Sequence, residues 1–161
     1  MILGLPRSRT AWLSVFMSQS KTHFYHEAIN GCFSIEDYEN KVKDCGDSTT
    51  GFSLLLDRMK GKKIVIIKKN NDELERCISW CDAEYNLDSR DYILEMNSIL
   101  NGIDGLVINQ SDINKNLKNI WHHLVDDEWN EKHKNLINMN IQTQSTEIDK
   151  IAASKLYASI Q

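Results

Sequence analysis

The chain has 161 residues, of which 41% are hydrophobic and 26% are charged, and it contains a single proline. This composition excludes a disordered or fibrous protein, and the length predicts one domain that spans residues 1–161. The formal net charge of −4 argues against a general nucleic-acid-binding protein, so an anionic ligand would need a local basic site.

Short apolar segments that predict strands alternate with longer segments of helical periodicity, which is typical of an α/β domain with a largely parallel sheet. The segment KKIVIIKK is apolar without alternation, as expected for a strand covered by helices on both faces. We therefore expect a three-layer, P-loop-like α/β fold with about five mostly parallel strands and a helical C-terminal third. The strands are predicted at residues 2–5, 22–26, 42–45, 63–68 and 105–109.

The segments between the predicted strands have the periodicity of amphipathic helices. The first of them, at residues 10–18, places Trp12, Leu13, Phe16 and Met17 on one apolar stripe. A later helix, capped by Ser111 or Asp112, carries its apolar face from residue 113 to residue 124. The remaining helices are predicted at residues 35–41, 50–59, 72–81, 89–100 and 146–160.

The segment GLPRSRTAW joins the first predicted strand to the first predicted helix. Gly4 permits a sharp bend, and Ser8 and Thr10 stand where backbone N–H groups and the helix dipole attract anions. Arg7 and Arg9 add forked cationic donors that suit a phosphate or a sulfate. The same residues also suit a solvated loop in which Ser8 or Thr10 only caps the helix.

This segment resembles the 5′-phosphosulfate-binding loop of sulfotransferases that use 3′-phosphoadenosine 5′-phosphosulfate (PAPS), which is approximately G-x-P-[KR]-S-G-T-T followed by a hydrophobic residue. The resemblance implies that PAPS, or its product 3′,5′-adenosine bisphosphate (PAP), is the ligand, and that Arg7 contacts the transferring sulfuryl group. Arg9 replaces the family's glycine, and Ala11 replaces its second threonine. Short phage-encoded and bacterial sulfotransferase-like proteins are similar at their start. The loop residues expected at the cofactor are Gly4, Arg7, Ser8, Arg9 and Thr10.

A second segment, IVIIKKNNDELERCIS, resembles the part of sulfotransferases that binds the 3′-phosphate of PAPS. There, a strand is followed by an arginine and, about eight residues later on a helix, by a serine. Lys68 or Lys69 stands at the arginine position, and Cys77 stands at the serine position. The alternative is a solvated strand end, because lysine lacks the bidentate fork of arginine and a thiol is a poor substitute for a hydroxyl.

The segment THFYHEAINGC resembles the strand and loop in which tyrosylprotein sulfotransferases carry a catalytic glutamate. Glu27 is the matching carboxylate, and His26 precedes it. Either side chain would serve as the general base that takes the proton of an acceptor hydroxyl. The alternatives are a half-buried histidine at the end of a strand and a charge at the start of a helix.

The segment DCGDSTTGF resembles a corresponding part of the small sulfotransferase-like proteins. We expect Gly46 to form a turn, Asp47 and Ser48 to line the crevice, and Thr49 or Thr50 to cap the next helix. Because open α/β sheets bind ligands at the carboxyl ends of their strands, all four segments are expected to converge on one crevice.

The resemblance implies transfer of a sulfuryl group from PAPS to a hydroxyl or amine acceptor, without a metal. A small nucleotide kinase that uses ATP and magnesium is one alternative, although the lysine of the Walker A loop is missing. A non-catalytic P-loop-like binding or inhibitor protein, phage-encoded and acting on a host factor, is the other, and Arg9, Ala11 and Cys77 favour it. The acceptor, a protein partner and the oligomeric state stay open.

The sequence also bears on location and on the cysteines. The N-terminus lacks the apolar core of a signal peptide, and no stretch approaches the roughly 20 apolar residues of a membrane span. We therefore expect a cytoplasmic protein that does not associate with a membrane. Cys77 and Cys81 share one helical face and would permit zinc binding if two histidines approached, but buried free cysteine is the commoner outcome, so no metal site is expected. The spacing of all four cysteines favours reduced thiols.

Overall fold

The computed structural model of the chain describes residues 1–139 and 141, and the helix predicted at residues 146–160 lies outside them. Five parallel strands form one sheet, and the central strand, β1, is flanked by β3 on one side and by β4 on the other. β2 and β5 form the two edges. The strands are β1 (Ile2–Gly4), β2 (Phe24–His26), β3 (Gly46–Thr49), β4 (Val65–Lys68) and β5 (Leu106–Asn109).

Helices cover both faces of this sheet, which confirms the expected three-layer α/β fold. The residues after β5 that the structure describes are mainly helical, as expected. The α-helices are α1 (Thr10–Met17), α2 (Ile35–Lys41), α3 (Asn71–Tyr85), α4 (Arg90–Asn101) and α5 (Ile113–Leu124). Shorter 3-10 helices span Phe52–Arg58, Gln110–Asp112 and Glu131–Leu136.

Two apolar cores lie on opposite faces of the sheet. α1 and α5 pack on one face, where Val65 and Ile67 of β4 are buried. The 3-10 helix Phe52–Arg58 packs on the other face with α3 and α4, against Ile64 and Ile66. Because successive strand residues point to opposite faces, this two-sided cover explains why the β4 segment is apolar without alternation.

The third strand lies where the sequence predicted a turn, so the prediction of a strand at residues 42–45 is wrong. Val42 ends α2, and the strand is the polar segment that follows it, Gly46–Thr49. A Cβ at Gly46 would lie 2.2 Å from the ring of Phe24, so this glycine makes room for an aromatic ring on β2. Hydrophobic periodicity cannot reveal such a strand, because its buried side chains are polar.

Two helix predictions also need adjustment. The helix predicted at residues 50–59 is a 3-10 helix, Phe52–Arg58. The helix predicted at residues 72–81 continues to Tyr85, and it begins with a capping box in which Asn70 and Glu73 exchange hydrogen bonds. Cys77 and Trp80, both within the predicted range, contact the loop that follows β1.

The sheet topology makes the carboxyl end of β1 a natural place for a ligand. Because the strands are parallel, all of them end at the same edge, which we call the carboxyl edge. The helix after β1 packs on one face, whereas the helical segments after its neighbours β3 and β4 pack on the other. Open α/β sheets bind ligands at such a switch point.

Candidate anion-binding site

The loop between β1 and α1, residues 5–9, which we call the anion loop, has an unusual backbone. Arg7 and Arg9 both adopt left-handed conformations, with φ of 64° and 61°. A Cβ at Gly4 would lie 2.8 Å from the Cβ of Ser8, so the loop folds closely over the end of the strand only because residue 4 is glycine. Left-handed residues that alternate with other conformations turn backbone N–H groups toward a common point, a geometry that binds anions.

No side chain caps helix α1 within the part of the chain that the structure describes. The cap residue is Arg9, and neither Ser8 nor Thr10 makes a capping hydrogen bond, so the simple capping interpretation is wrong. The Ser8 hydroxyl is fully buried and has no partner among the described residues. Buried hydroxyls normally have partners, so the anion loop contains an unused polar group.

The Arg9 side chain is directed toward α5. Its Nη1 donates to Asn114 Oδ1 at 2.8 Å, and its guanidinium lies 4.2 Å from the centre of the Trp12 ring. Burial lowers the pKa of this guanidinium. These contacts hold Arg9 against α1 and α5, on the α5 side of the loop.

The Arg7 side chain is directed toward α3 instead. It is exposed, and its guanidinium carbon lies 5.5 Å from the centre of the Trp80 ring. The Cys77 thiol, one helical turn earlier, donates to the Pro6 carbonyl at 3.2 Å. Helix α3 therefore contacts both the backbone and a side chain of the anion loop.

Lysines from the end of β4 complete this side of the site. Lys69 Nζ donates to Gln110 Oε1 at 2.5 Å. Burial lowers the pKa of Lys69, and the nearby Arg7 and Arg76 add to this effect, although Cys77 and Glu73 oppose it. Lys68, the last residue of β4, is half-buried.

The cations around the anion loop are not neutralised by carboxylates. Seven basic side chains elsewhere in the described residues form ion pairs, for example Arg58 with Glu39 and Arg90 with Glu75. In the described chain, none of the cations at this edge has a carboxylate oxygen within 4.0 Å. These cations are Arg7, Arg9, Lys68, Lys69 and Arg76.

Cys77 belongs to a pair of buried thiols on α3. A hydrogen bond from Cys81 lowers the pKa of Cys77, and the positive charges of Lys69 and Arg7 act in the same direction. The same hydrogen bond raises the pKa of Cys81. All four cysteines are free thiols.

His26 ends β2, and Glu27 follows it. Both side chains make hydrogen bonds with the end of β3 or with the residue after it. Glu27 has a left-handed backbone, with φ of 51°. Its carboxylate accepts from the Thr49 hydroxyl and from the Thr50 N–H, both at 2.7 Å. His26 Nδ1 lies 3.0 Å from the Ser48 carbonyl. Because a carbonyl only accepts, Nδ1 carries a proton, and in the neutral imidazole the lone pair is then on Nε2.

Asp47 and Ser48 lie inside the protein instead of lining the crevice. Asp47 is 2% exposed, and its carboxylate accepts from the Ala28 N–H at 3.0 Å and the Tyr38 hydroxyl at 3.1 Å. Burial raises the pKa of Asp47 to about 6. The Ser48 hydroxyl donates to the Thr10 carbonyl at 2.8 Å. Both residues are therefore structural: Asp47 fixes the backbone at Ala28, and Ser48 fixes the backbone at Thr10.

The cavity beside Asp47 opens at the amino edge of the sheet, opposite the anion loop. Its volume is about 230 Å³, and residues that precede the strands, including Met1, Cys45 and Lys63, line it. The cations around the anion loop and this cavity are thus at opposite ends of the sheet. We place the candidate site at the carboxyl edge, because the charged groups converge there.

The described residues contain neither a cluster of metal ligands nor a membrane-spanning helix. No group of three or more histidine, cysteine or acidic side chains is arranged to hold a metal ion there. No helix in that part of the chain combines the length and the apolar character needed to cross a bilayer.

Comparison with known proteins assigns no family. No protein-family model, no curated protein and no solved structure matches the chain. The function must therefore be argued from the fold and the site themselves.

Sequence reasoning missed two residues of this site, Trp80 and Arg76. Both are on α3, and Trp80 lies one helical turn beyond Cys77, on the same face. A helical wheel of α3 would have placed Trp80 beside any loop that Cys77 contacts. Arg76 precedes Cys77, and its role is visible only from its electrostatic effect on Lys69.

Proposed function

We propose that the anion loop binds the phosphate groups of PAPS, and that the protein transfers a sulfuryl group to a hydroxyl or amine acceptor. The observation that carries this proposal is the set of cations without carboxylate partners at the switch point of the sheet. A ligand with several anionic groups would satisfy Arg7, Lys69 and Arg76 together.

The details of the anion loop support a phosphate or sulfate ligand. The left-handed Arg7 and Arg9 and the uncapped start of α1 leave backbone N–H groups for an anion. The unpartnered Ser8 hydroxyl is a further donor within the same loop. The residues present therefore fit the phosphosulfate end of PAPS.

Bound PAPS would supply an activated sulfuryl group, whose transfer breaks the bond between sulfur and an oxygen of the 5′-phosphate. Arg7 would stabilise the negative charge that develops on that oxygen. His26 Nε2, which has the lone pair in the neutral ring, would accept the proton of the acceptor. Both Glu27 oxygens already accept hydrogen bonds, so its part would be to fix the geometry beside His26.

The thiol of Cys77 favours a second candidate, a binding protein without turnover. This thiol donates to the Pro6 carbonyl, so it holds the loop and offers no hydroxyl to a 3′-phosphate. The site would then bind an anion through the loop and the lysines, and the biological role would lie in a protein partner. Release of PAP from PAPS in the presence of an acceptor, which only the first candidate predicts, separates the two.

The proposal is tested by calorimetric titration of the full chain with PAP and, separately, with ATP and magnesium. We expect micromolar binding of PAP, weakened at least about tenfold in Arg7→Ala, since a charge-assisted hydrogen bond is lost. Arg58→Ala is the matched control, because this arginine pairs with Glu39 away from the site. Binding of ATP alone would replace sulfuryl transfer by a kinase function, and binding of neither would favour the partner-binding candidate.

A further inference from the structure

One face of α3 holds the anion loop from the side. Cys77 and Trp80 are three residues apart and share this face, where the first contacts Pro6 and the second contacts Arg7. We infer that Trp80 is a positioning residue, which orients the Arg7 guanidinium toward an anion in the loop. The inference rests on the proposed anion site, but it does not depend on the identity of the nucleotide.

Arg7 needs such a support because little else holds it. Its side chain is exposed, and no carboxylate lies within 4.0 Å of it in the described part of the chain. The nearby Lys69 and Arg76 are cations and repel it. A long side chain that is free in solution loses rotamer entropy when it binds a ligand, and a preformed contact reduces that loss.

The indole of Trp80 is suited to this task because it is itself fixed. Trp80 is half-buried against the core of its face of the sheet. The Tyr85 ring packs edge-on against it, with a centroid distance of 6.0 Å and an interplanar angle of 83°. The indole beside Arg7 is therefore held by packing against the core and by the ring of Tyr85, although Tyr85 itself is 60% exposed.

The chemistry of the contact leaves Arg7 free to bind. A cation over an aromatic ring is attracted by the ring face, whereas the guanidinium donates its hydrogen bonds in its own plane. A guanidinium that lies over the ring face therefore keeps its in-plane donors for an oxyanion. The ring supplies orientation, and Arg7 supplies the hydrogen bonds.

The test compares Trp80→Leu with Trp80→Phe in calorimetric titrations with PAP and with pyrophosphate. Leucine keeps an apolar side chain against the core but removes the aromatic face, and phenylalanine restores the face. We expect Trp80→Leu to weaken binding about 2- to 5-fold and Trp80→Phe to recover most of the loss. Leu87→Ala is the control, because this side chain follows α3 and is 52% exposed. The affinity of this variant for PAP and for pyrophosphate should equal that of the wild type.

A second readout needs no ligand. In the free protein, the ring current of Trp80 should move the Arg7 side-chain proton resonances upfield, and Trp80→Leu should remove this shift while Trp80→Phe retains part of it. This measurement shows whether the contact exists, and the titrations show whether it matters for binding.

The outcomes separate this inference from the proposed function. Equal affinities of wild type and Trp80→Leu would overturn the positioning role and leave the anion site standing. Tighter binding by Trp80→Leu would also overturn it, because Trp80 would then hold Arg7 away from the anion. Binding of pyrophosphate without PAP, weakened in Trp80→Leu, would support the inference and overturn the PAPS proposal. Absence of binding to either anion in the wild type would overturn both.

Discussion

The Cys77 thiol donates a hydrogen bond to the Pro6 carbonyl at 3.2 Å, across 71 residues of sequence. This contact joins the middle of α3 to the anion loop. Cys77 is 1% exposed, so its loss leaves the carbonyl without that partner and opens a small cavity. The consequences are measurable as stability and as affinity.

Cys77→Ala should lower the free energy of unfolding by about 1–2 kcal/mol, because it removes both the hydrogen bond and buried volume. Cys77→Ser keeps a donor at the same position and should lose less. Urea denaturation of the two variants measures the difference. Equal losses in both variants would show that the hydrogen bond to Pro6 contributes nothing.

Substitutions at Arg9 test the left-handed backbone of the anion loop. With φ of 61°, glycine is favoured over alanine there, because a Cβ costs about 1 kcal/mol in this region. Arg9→Ala and Arg9→Gly both remove the contacts with Asn114 and Trp12, so they differ only in the backbone preference. We expect Arg9→Gly to be the more stable by about 1 kcal/mol in urea denaturation. A residue in a right-handed helical conformation would give the opposite order.

Asp47→Asn should stabilise the protein at neutral pH and not at acidic pH. Burial raises the pKa of Asp47 from 3.8 to about 6, so the folded state binds the proton more tightly than the unfolded chain does. The stability from this group is complete below about pH 4 and is lost as the pH rises through 6. The asparagine amide has no charge to desolvate, and its oxygen still accepts from the Ala28 N–H.

The size of this effect follows from the shift in pKa. Relative to the wild type, Asp47→Asn should gain about 3 kcal/mol between pH 4 and pH 7.5, measured by urea denaturation at several pH values. The buried amino group of Met1, whose pKa is lowered to about 5, titrates in both proteins, so its effect largely cancels in the difference. A difference that does not change with pH would contradict the raised pKa.

Substitutions at His26 and Glu27 separate proton transfer from structural support. His26→Gln should slow PAP release from PAPS about 100-fold with the most active acceptor, and it should leave PAP affinity unchanged. Glu27→Gln should instead lower the free energy of unfolding by about 1–2 kcal/mol, because its neutral amide would replace the charge-assisted hydrogen bonds with the Thr49 hydroxyl and the Thr50 N–H by weaker ones. Unchanged turnover in His26→Gln would exclude this histidine as the base.

Periodicity and composition predict the helices and strands whose buried side chains are apolar. The continuous apolar run of β4 and the stripe of Trp12, Phe16 and Met17 on α1 follow directly from the layers that cover them. β3 could not be predicted in the same way, because its buried Asp47 and Ser48 depend on hydrogen-bond partners that tertiary structure supplies.

The site is less predictable than the fold. The sequence places two arginines and two hydroxyl side chains after the first strand, and topology alone brings Lys69 to the same edge. The left-handed Arg9 and the stacking of Arg7 on Trp80 are set by contacts between distant segments. Neither leaves a local pattern, since a left-handed arginine and a half-buried tryptophan look ordinary in sequence.

The cations at the carboxyl edge belong to a chain whose formal net charge is −4. The rest of the chain therefore carries a negative charge on balance, so the positive charge is local to the anion loop. At physiological ionic strength a charge acts over only about 8 Å, so these cations attract an anion only when it is already close to the anion loop. The local positive charge affects the association rate of an anion, whereas the contacts with Arg7 and its neighbours determine the dissociation rate.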